Sequence, residues 1–524
     1  MPNTTQTSFV SPNASPADLD LIEATHAFAT DALRATRTPG MSIALARSDG
    51  ILSAQALGEA DPERGTPMTL EHTFRVGSIS KTYIAVAVMQ LVERGVIDLY
   101  APASAYLPNL ALQNHYGERD VTVYDLVTYR GGLTLDTGDQ ALQPAPLGSH
   151  LEQAFRAGTR PEYGRERPLW VEKVGESYNY STLGMAAAAY LVERTNPERL
   201  SFAEYVRRWI SGPLGMNATG FPRSEDGMPP QELMARLATG YARFGAVHVP
   251  SPILHAAASP AVSLLTTPMD HARLHAAFLN GGSLGDAQIL KASTLATMIT
   301  PHVEMGQAAD AGWWNGIGFE MTRVGERGFN YGHGGAHSWG WYGQCAAYHH
   351  YDLAIVACTN RWEMPRFYNP LGETAPGLVL DFLASWLAGE SAARDRPRSE
   401  RPWVWRASYA MGLLMVERTN GTLGVSESMP LDVVERMAGG AFASEGRLAE
   451  IWDEEAFRAG VLAMQEVEQS PAAIRSFLSD GCAEITYADL PLLALWFGQK
   501  PSMQLPMRFF ADANSPRGVV SKDG

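Results

Sequence analysis

The chain has 524 residues, 45% of them hydrophobic and 19% charged, which marks it as globular and makes it too long for one ordinary core. Its 41 basic and 56 acidic residues give a formal net charge of −15, which repels polyanions and anionic membrane surfaces. Nucleic acid and membrane are thereby excluded as partners, and a small-molecule substrate is left.

The first residues, MPNTTQTSFVSPNASPADLD, carry neither a basic n-region nor an apolar h-region. No later apolar run approaches the ~20 residues that span a bilayer, so the chain reads as soluble and cytoplasmic. Apolar residues from Pro16 to about Arg37 recur at helical spacing. Met41 to Ala46 then reads as a strand, and SIALARSDGILSAQALG as a hairpin. SISKTYIAVAVMQLV, Ser78 to Val92, is apolar on nearly every face after its first turn and is closed by Gly95, which predicts a buried central helix with a left-handed cap. From about Leu99 to Leu290 the pattern is one of helices and loops without a repeat. Strands return at Gly316 to Arg323, Phe329 to Tyr331, Trp339 to Tyr348 and Leu353 to Thr359, an antiparallel meander. This order predicts an α+β domain over residues 1–395, its antiparallel sheet built from both chain ends, flanked by helices and interrupted by an inserted helical region. After the helix-like VLDFLASWLAG, the stretch ESAARDRPRSERP reads as a linker, and residues 396–524 as a small helical accessory domain.

Three cysteines, Cys345, Cys358 and Cys482, are too few and too odd in number for a disulfide framework. Cys345 and Cys358 fall on neighbouring strands and read as buried free thiols.

Of the five lysines, Lys81 alone sits in the first turn of a strongly apolar helix, three residues after Ser78. That spacing puts the two side chains on one helix face. An amine desolvated there is driven towards accepting a proton, and a serine beside it is an activated nucleophile. The alternative is that Ser78 is only an N-cap and that Lys81 reaches out to solvent.

The surroundings are more specific. FRVGSISKTYIAVAVMQLVERGVIDLYAPASAYLP resembles the nucleophile region of penicillin-binding proteins, class C β-lactamases and the related esterases and D-aminopeptidases. VTVYDLVTYRGGL is similar to the loop ending in His-Thr-Ser-Gly-Leu, with Tyr129, Arg130 and Gly131 in its first three places. GESYNYSTLGMAAAAYLVER resembles the Tyr-x-Asn segment, and YGHGGAHSWGWYGQ the Lys-Thr-Gly segment in its His-x-Gly form. The resemblance covers roughly residues 15 to 390. It implies the β-lactamase/transpeptidase-like fold and a metal-free, cofactor-free serine hydrolase. Ser78 is then the acylated nucleophile, Lys81 and Tyr180 handle its proton, the backbone N–H groups of Ser78 and Ala336 form the oxyanion hole, and His333 stands beside Tyr180. Thr182, Gly334 and Gly335 are implied to contact substrate.

Two departures bear on substrate: Thr182 replaces the asparagine of Tyr-x-Asn, and His333 the lysine of the third motif. They point away from β-lactams and towards a carboxylic ester or small amide, as in the esterase and D-amino-acid amidase branches. A β-lactamase or acyltransferase of the same fold is the alternative, as is a binding protein without turnover.

Blander readings stand beside these. Tyr180 read alone is a core tyrosine, the GHGG run a turn, and His337 a rim or core histidine. AHSWG approximates the G-x-S-x-G elbow and would nominate Ser338, but strands rather than a helix are predicted after it. His271 and His275 have i, i+4 spacing without the glutamate of a zinc motif, and His349 and His350 would point to opposite strand faces. Both pairs read as surface histidines.

Overall fold

The computed structural model describes residues 6–387, apart from residue 37 and residues 135–139, 142–143, 163–164, 245–246, 252, 257, 306–312, 324–328, 338–339 and 363–373. The chain divides into two units, one of residues 1–30, 38–242 and 250–362, the other of residues 31–37, 243–249 and 363–524. Within the second, Ala375–Leu387 is helical, taking in the expected VLDFLASWLAG segment as far as Leu387. The predicted linker and the accessory domain at 396–524 lie outside the described residues.

The first unit is organised by one antiparallel sheet. Its strands are β1 (Ser8–Val10), β2 (Gly40–Arg47), β3 (Gly50–Asp61), β4 (Val303–Glu304), β5 (Trp313–Asn315), β6 (Glu320–Arg323), β7 (Phe329–His337), β8 (Trp341–Tyr348) and β9 (Leu353–Thr359). Their spatial order is β1-β3-β2-β9-β8-β7-β6-β5-β4. The early hairpin β2–β3 thus joins the late meander along the β2–β9 seam, where Met41 faces Thr359 and Ala46 faces Ala354. Both seam strands are buried along nearly their whole length, and for that reason SIALA and LAIVAC read as continuous apolar runs rather than alternating ones.

Four helices frame the sheet and the site. Helix α1 (Pro16–Thr36) is tied to the sheet by Asp18, whose carboxylate pairs with Arg47. Helix α2 (Ser80–Glu93) has every residue from Ser80 to Leu91 buried, and Gly95 follows it at φ 67°. Helix α3 (Thr182–Thr195) begins at the N-cap Ser181, whose hydroxyl accepts from Gly184 N–H at 3.1 Å. Helix α4 (Pro268–Leu279) is capped by Thr267 in the same way and touches α2 through a Tyr83–His271 contact of 2.9 Å.

Four local readings need correction. Of the segment read as one strand from Gly316 to Arg323, only Glu320–Arg323 is strand (β6); residues 316–319 are the turn that joins it to β5, where Gly316 N–H donates to Phe319 O at 2.8 Å. Strand β7 does not stop at Tyr331; it continues through His333, Gly334 and Gly335 to His337, so the GHGG run is strand rather than turn. His349 and His350 are exposed, but in a short 3₁₀ turn between β8 and β9. His271 and His275 are not surface residues at all: both are fully buried on the inner side of α4.

Burial also shapes the acid response. His275 is driven down to about 3 and His26 to about 4, in both cases because burial penalises the imidazolium. Each is neutral in the folded chain and free to protonate near its ordinary 6.5 once unfolded. The unfolded state therefore binds more protons below that point, and stability rises with pH through this window. Urea unfolding is expected to give a flat free energy from pH 8 to 7 and a loss of roughly 2 kcal/mol per such histidine between pH 6.5 and 5. His275→Phe should flatten the slope; a slope unchanged in that variant would assign the acid sensitivity elsewhere.

Candidate active site

Ser78 lies in a tight turn ahead of α2. Ile79 N–H donates to Val76 O at 3.2 Å, Ser80 N–H to Gly77 O at 3.0 Å and Lys81 N–H to Ser78 O at 2.9 Å. Ile79 is the N-cap of α2 and no side chain caps it. Ser78 is thus one residue farther out than the N-cap position the sequence suggested, and the N-cap alternative for its hydroxyl falls away. Instead Lys81 Nζ reaches Ser78 Oγ at 2.9 Å. The Ser78 N–H has no protein acceptor among the described residues.

Lys81 is fully buried, so the snorkelling alternative falls as well. Its ammonium donates to Ala261 O at 3.0 Å and stands 4.8 Å from the centroid of the Tyr180 ring, a cation–π distance that helps offset its desolvation. Ser80 secures the same neighbourhood. Its hydroxyl donates to Gly77 O at 2.5 Å and accepts from Leu264 N–H at 3.0 Å, stitching the turn to the 259–265 segment that supplies Ala261.

Two glycines let the turn meet the sheet. Gly77 has φ 52°, and a Cβ there would lie 2.3 Å from Ala336 O and 2.6 Å from Ala336 N. A Cβ on Gly335 would lie 2.1 Å from Val76 O and 2.7 Å from Ser78 N. Backbone is pressed on backbone from both sides, and no side chain fits. The Ser78 and Ala336 N–H groups consequently belong to segments in direct contact. Gly334 differs, since a Cβ there would meet only Tyr342 Oη at 3.5 Å.

Tyr180 enters from the segment before α3, beside the buried Thr182. Its ring stacks on Tyr129 at 4.9 Å and 27°, and Tyr129 in turn meets Tyr178 edge-on at 5.4 Å. Tyr129 has φ 59°, a conformation rare outside glycine, and its carbonyl accepts from Asn179 N–H at 2.8 Å. The strained loop residue therefore braces the segment that delivers Tyr180.

His333 completes the group, its ring centroid 6.4 Å from that of Tyr180. Nδ1 lies 2.6 Å from Gly334 O. A carbonyl can only accept, so Nδ1 carries the proton and Nε2 is a bare acceptor, buried and without a partner among the described residues. Burial and the Lys81 charge hold His333 below the ordinary imidazole value, against a smaller upward pull from Glu320, whose carboxylate is 3.7 Å from Nδ1. Below 6.5 means neutral at pH 7.

Ser78, Lys81, Tyr180 and His333 thus converge, drawn from three stretches of the chain. Sequence reading missed Tyr129 as a brace, Ala261 as an acceptor and Glu320 as the partner of His333; only the displaced His-Thr-Ser-Gly-Leu loop hinted at the first. His337 is a core residue, 1% exposed. Ser338 lies outside the described residues, and the next described element, β8, is a strand where an elbow requires a helix. Cys345 and Cys358 are buried and free, as expected, and Cys482 lies outside the described residues. Among the described residues one group has potential metal ligands close together: His271, His275 and Cys345. No described helix is long and apolar enough to cross a membrane.

A family model described as Beta-lactamase matches residues 25–373. A beta-lactamase of Yersinia enterocolitica is 27% identical over 54% of this chain and 64% of its own length, and esterase EstB of Burkholderia gladioli is 31% identical over 37% and 50%. The matches span about half to two thirds of these relatives. Among solved structures, the D-amino acid amidase of Ochrobactrum anthropi SV3 superposes with a TM-score of 0.56 at 21% identity, over 72% of this chain and 100% of its own; at that identity the likeness is one of fold.

The two adjacent glycines separate two effects. Gly335→Ala should drive β7 off the Ser78 turn and slow labelling of Ser78 by a fluorophosphonate probe about 100-fold or more. Gly334→Ala should leave folding close to wild type by thermal melting and slow labelling far less than Gly335→Ala does by gel fluorescence. Equal effects of the two substitutions would refute the close-approach reading.

Proposed function

The chain belongs to the beta-lactamase family, and from that membership we propose that it is a serine hydrolase working through an acyl-enzyme on a carboxylic ester or small amide. The observation that carries this reading is the 2.9 Å contact between Nζ of the fully buried Lys81 and Oγ of the partly exposed Ser78. A binding protein has no use for a desolvated amine aimed at a serine hydroxyl.

In the proposed reaction Ser78 Oγ attacks the substrate carbonyl carbon and gives up its proton to the Lys81–Tyr180 pair, in which the Lys81 ammonium favours Tyr180 as the phenolate that accepts it. The oxyanion is held by the N–H groups of Ser78 and Ala336, which sit together because Gly77 and Gly335 permit it. The tetrahedral intermediate collapses, the leaving alcohol or amine takes the proton, and Ser78 is acylated. Water then attacks the ester along the same route in reverse, releasing the carboxylic acid and restoring the Ser78 hydroxyl. Gly334 and Thr182 line the approach to the carbonyl. Gly335 acts through the backbone contact rather than through substrate.

The neutral state of His333 supports esters and small amides over β-lactams. A β-lactam's carboxylate meets no fixed cation at this position, and Thr182 offers a hydroxyl where an amide side chain would pair with the acylamido group. Each polar group left unpaired costs about 1 to 3 kcal/mol, so two together are worth orders of magnitude. The 31% identity to esterase EstB points the same way.

Ser78→Ala is expected to abolish fluorophosphonate labelling and to lower turnover at least about 10³-fold with the fold retained by circular dichroism, since no cap is lost. Turnover at the wild-type rate in a folded Ser78→Ala protein would remove Ser78 as nucleophile. Among p-nitrophenyl butyrate, D- and L-alanine amides and nitrocefin, nitrocefin should have the lowest kcat/KM from pH 7 to 9, where an imidazole held below its ordinary value is neutral. Nitrocefin as best substrate at neutral pH would return the protein to β-lactam chemistry.

A further inference from the structure

We propose that His271, His275 and Cys345 form a buried site for a single Cu(I) ion, held by two imidazoles and one thiolate. The site is separate from the Ser78 chemistry and takes no part in the acyl transfer proposed above.

The ligands come from two elements. His271 and His275 lie one turn apart on α4, and Cys345 projects from β8 opposite His333. One ligand atom from each lies within 4.8 Å of the others, and His271 Nε2 is already 3.4 Å from Cys345 Sγ. Metal–ligand bonds of about 2.0 to 2.3 Å in a trigonal plane place ligand atoms about 3.5 to 3.8 Å apart. The His271–Cys345 pair is already near that spacing, and all three ligand atoms lie within about 1 Å of it.

A second observation points to a ligand. Both ring nitrogens of His275 are buried with no partner among the described residues, and its ring packs edge-on with His271 and Phe278. An imidazole left unsatisfied in a dry core is destabilising relative to a paired one, so as mere filling a phenylalanine would serve better. The outer contacts suit coordination too. Tyr83 Oη stands 2.9 Å from His271 Nδ1, where it can accept the Nδ1 proton and leave Nε2 free for a metal. Cys345 Sγ is 3.4 Å from His333 O.

Charge and ligand number select the ion. A thiolate with imidazoles suits Cu(I) or Zn(II). Zn(II) prefers four ligands, and no fourth histidine, cysteine or carboxylate joins the group among the described residues. With one thiolate Zn(II) would also leave a net positive charge in a buried site whose neighbour His333 already feels the Lys81 ammonium. Cu(I) with one thiolate is neutral and is satisfied by three ligands. Binding releases one proton, from the Cys345 thiol: Cu⁺ + RSH + two imidazoles gives the neutral complex and H⁺. Burial pushes that thiol up to about 12, so affinity should rise with pH.

The test uses the full chain carrying Cys482→Ser, which removes the cysteine outside the described residues, with Cu(I) titrated anaerobically against bathocuproine disulfonate. One Cu(I) per chain is expected, weakened at least about 100-fold by Cys345→Ser and by His275→Phe and retained in Cys358→Ser. If a ligand variant fails to fold, X-ray absorption on the copper-loaded parent decides, with one sulfur and two nitrogens in three-coordination expected. No stoichiometric binding, binding indifferent to Cys345→Ser in a folded protein, any other ligand set, or a preference for Zn(II) over Cu(I) would overturn the proposal.

Discussion

A fully buried ammonium is the demand around which this molecule is arranged. Lys81 sits in the first turn of a helix whose other buried residues are mostly apolar, and a lone charge there would cost several kcal/mol. The structure answers with the Ser78 hydroxyl, the Ala261 carbonyl and the face of Tyr180. Each answer requires a different stretch of chain to arrive at one point: the turn before α2, the 259–265 segment and the lead-in to α3. The order of the middle of the chain, otherwise weakly patterned, reflects this convergence.

The sheet supplies the opposite wall. Because β2 pairs with β9, the two ends of the domain close on each other, and β7 is carried to the edge of the Ser78 turn. Contact there is backbone to backbone, made possible by Gly77 on one side and Gly335 on the other. A catalytic role for Gly335 through its own contact with substrate is not needed to explain why a side chain is excluded from it. Precision at the reacting carbonyl comes from rigid packing, which suits a reaction whose transition state is stabilised by fixed dipoles.

Neutral imidazoles are the second theme. His271, His275, His333 and His337 are all buried, and burial depresses every one of them. For His333 the consequence is chemical: its Nδ1 proton is held by Gly334 O, and Nε2 is presented as an acceptor rather than as a cation. For the α4 pair the consequence is a cluster of neutral nitrogen donors beside the Cys345 thiol. Both sit on the inner side of the same sheet, joined through the His333–Cys345 strand pair.

The sequence by itself determined the S-x-x-K nucleophile, the order of three motifs, the buried central helix and the strand Leu353–Thr359, because each is written in short spacings or in a local apolar period. It also marked Thr182 and His333 as departures that bear on substrate. Helix α2 begins two residues later than Ser78, and β7 runs on through a Gly-rich stretch that alone reads as a turn, since pairing with β8 overrides glycine's poor strand propensity. Only the tertiary structure decided the tautomer of His333, the bracing of Tyr180 by Tyr129, the Lys81–Ala261 bond and the burial of His271 and His275 against Cys345. The His333 tautomer rests on the conformation that turns its ring onto the adjacent Gly334 carbonyl, and the others are contacts between residues separated by tens to hundreds of positions; periodicity says which face of a helix or strand a residue occupies, never what the fold will bring to meet it.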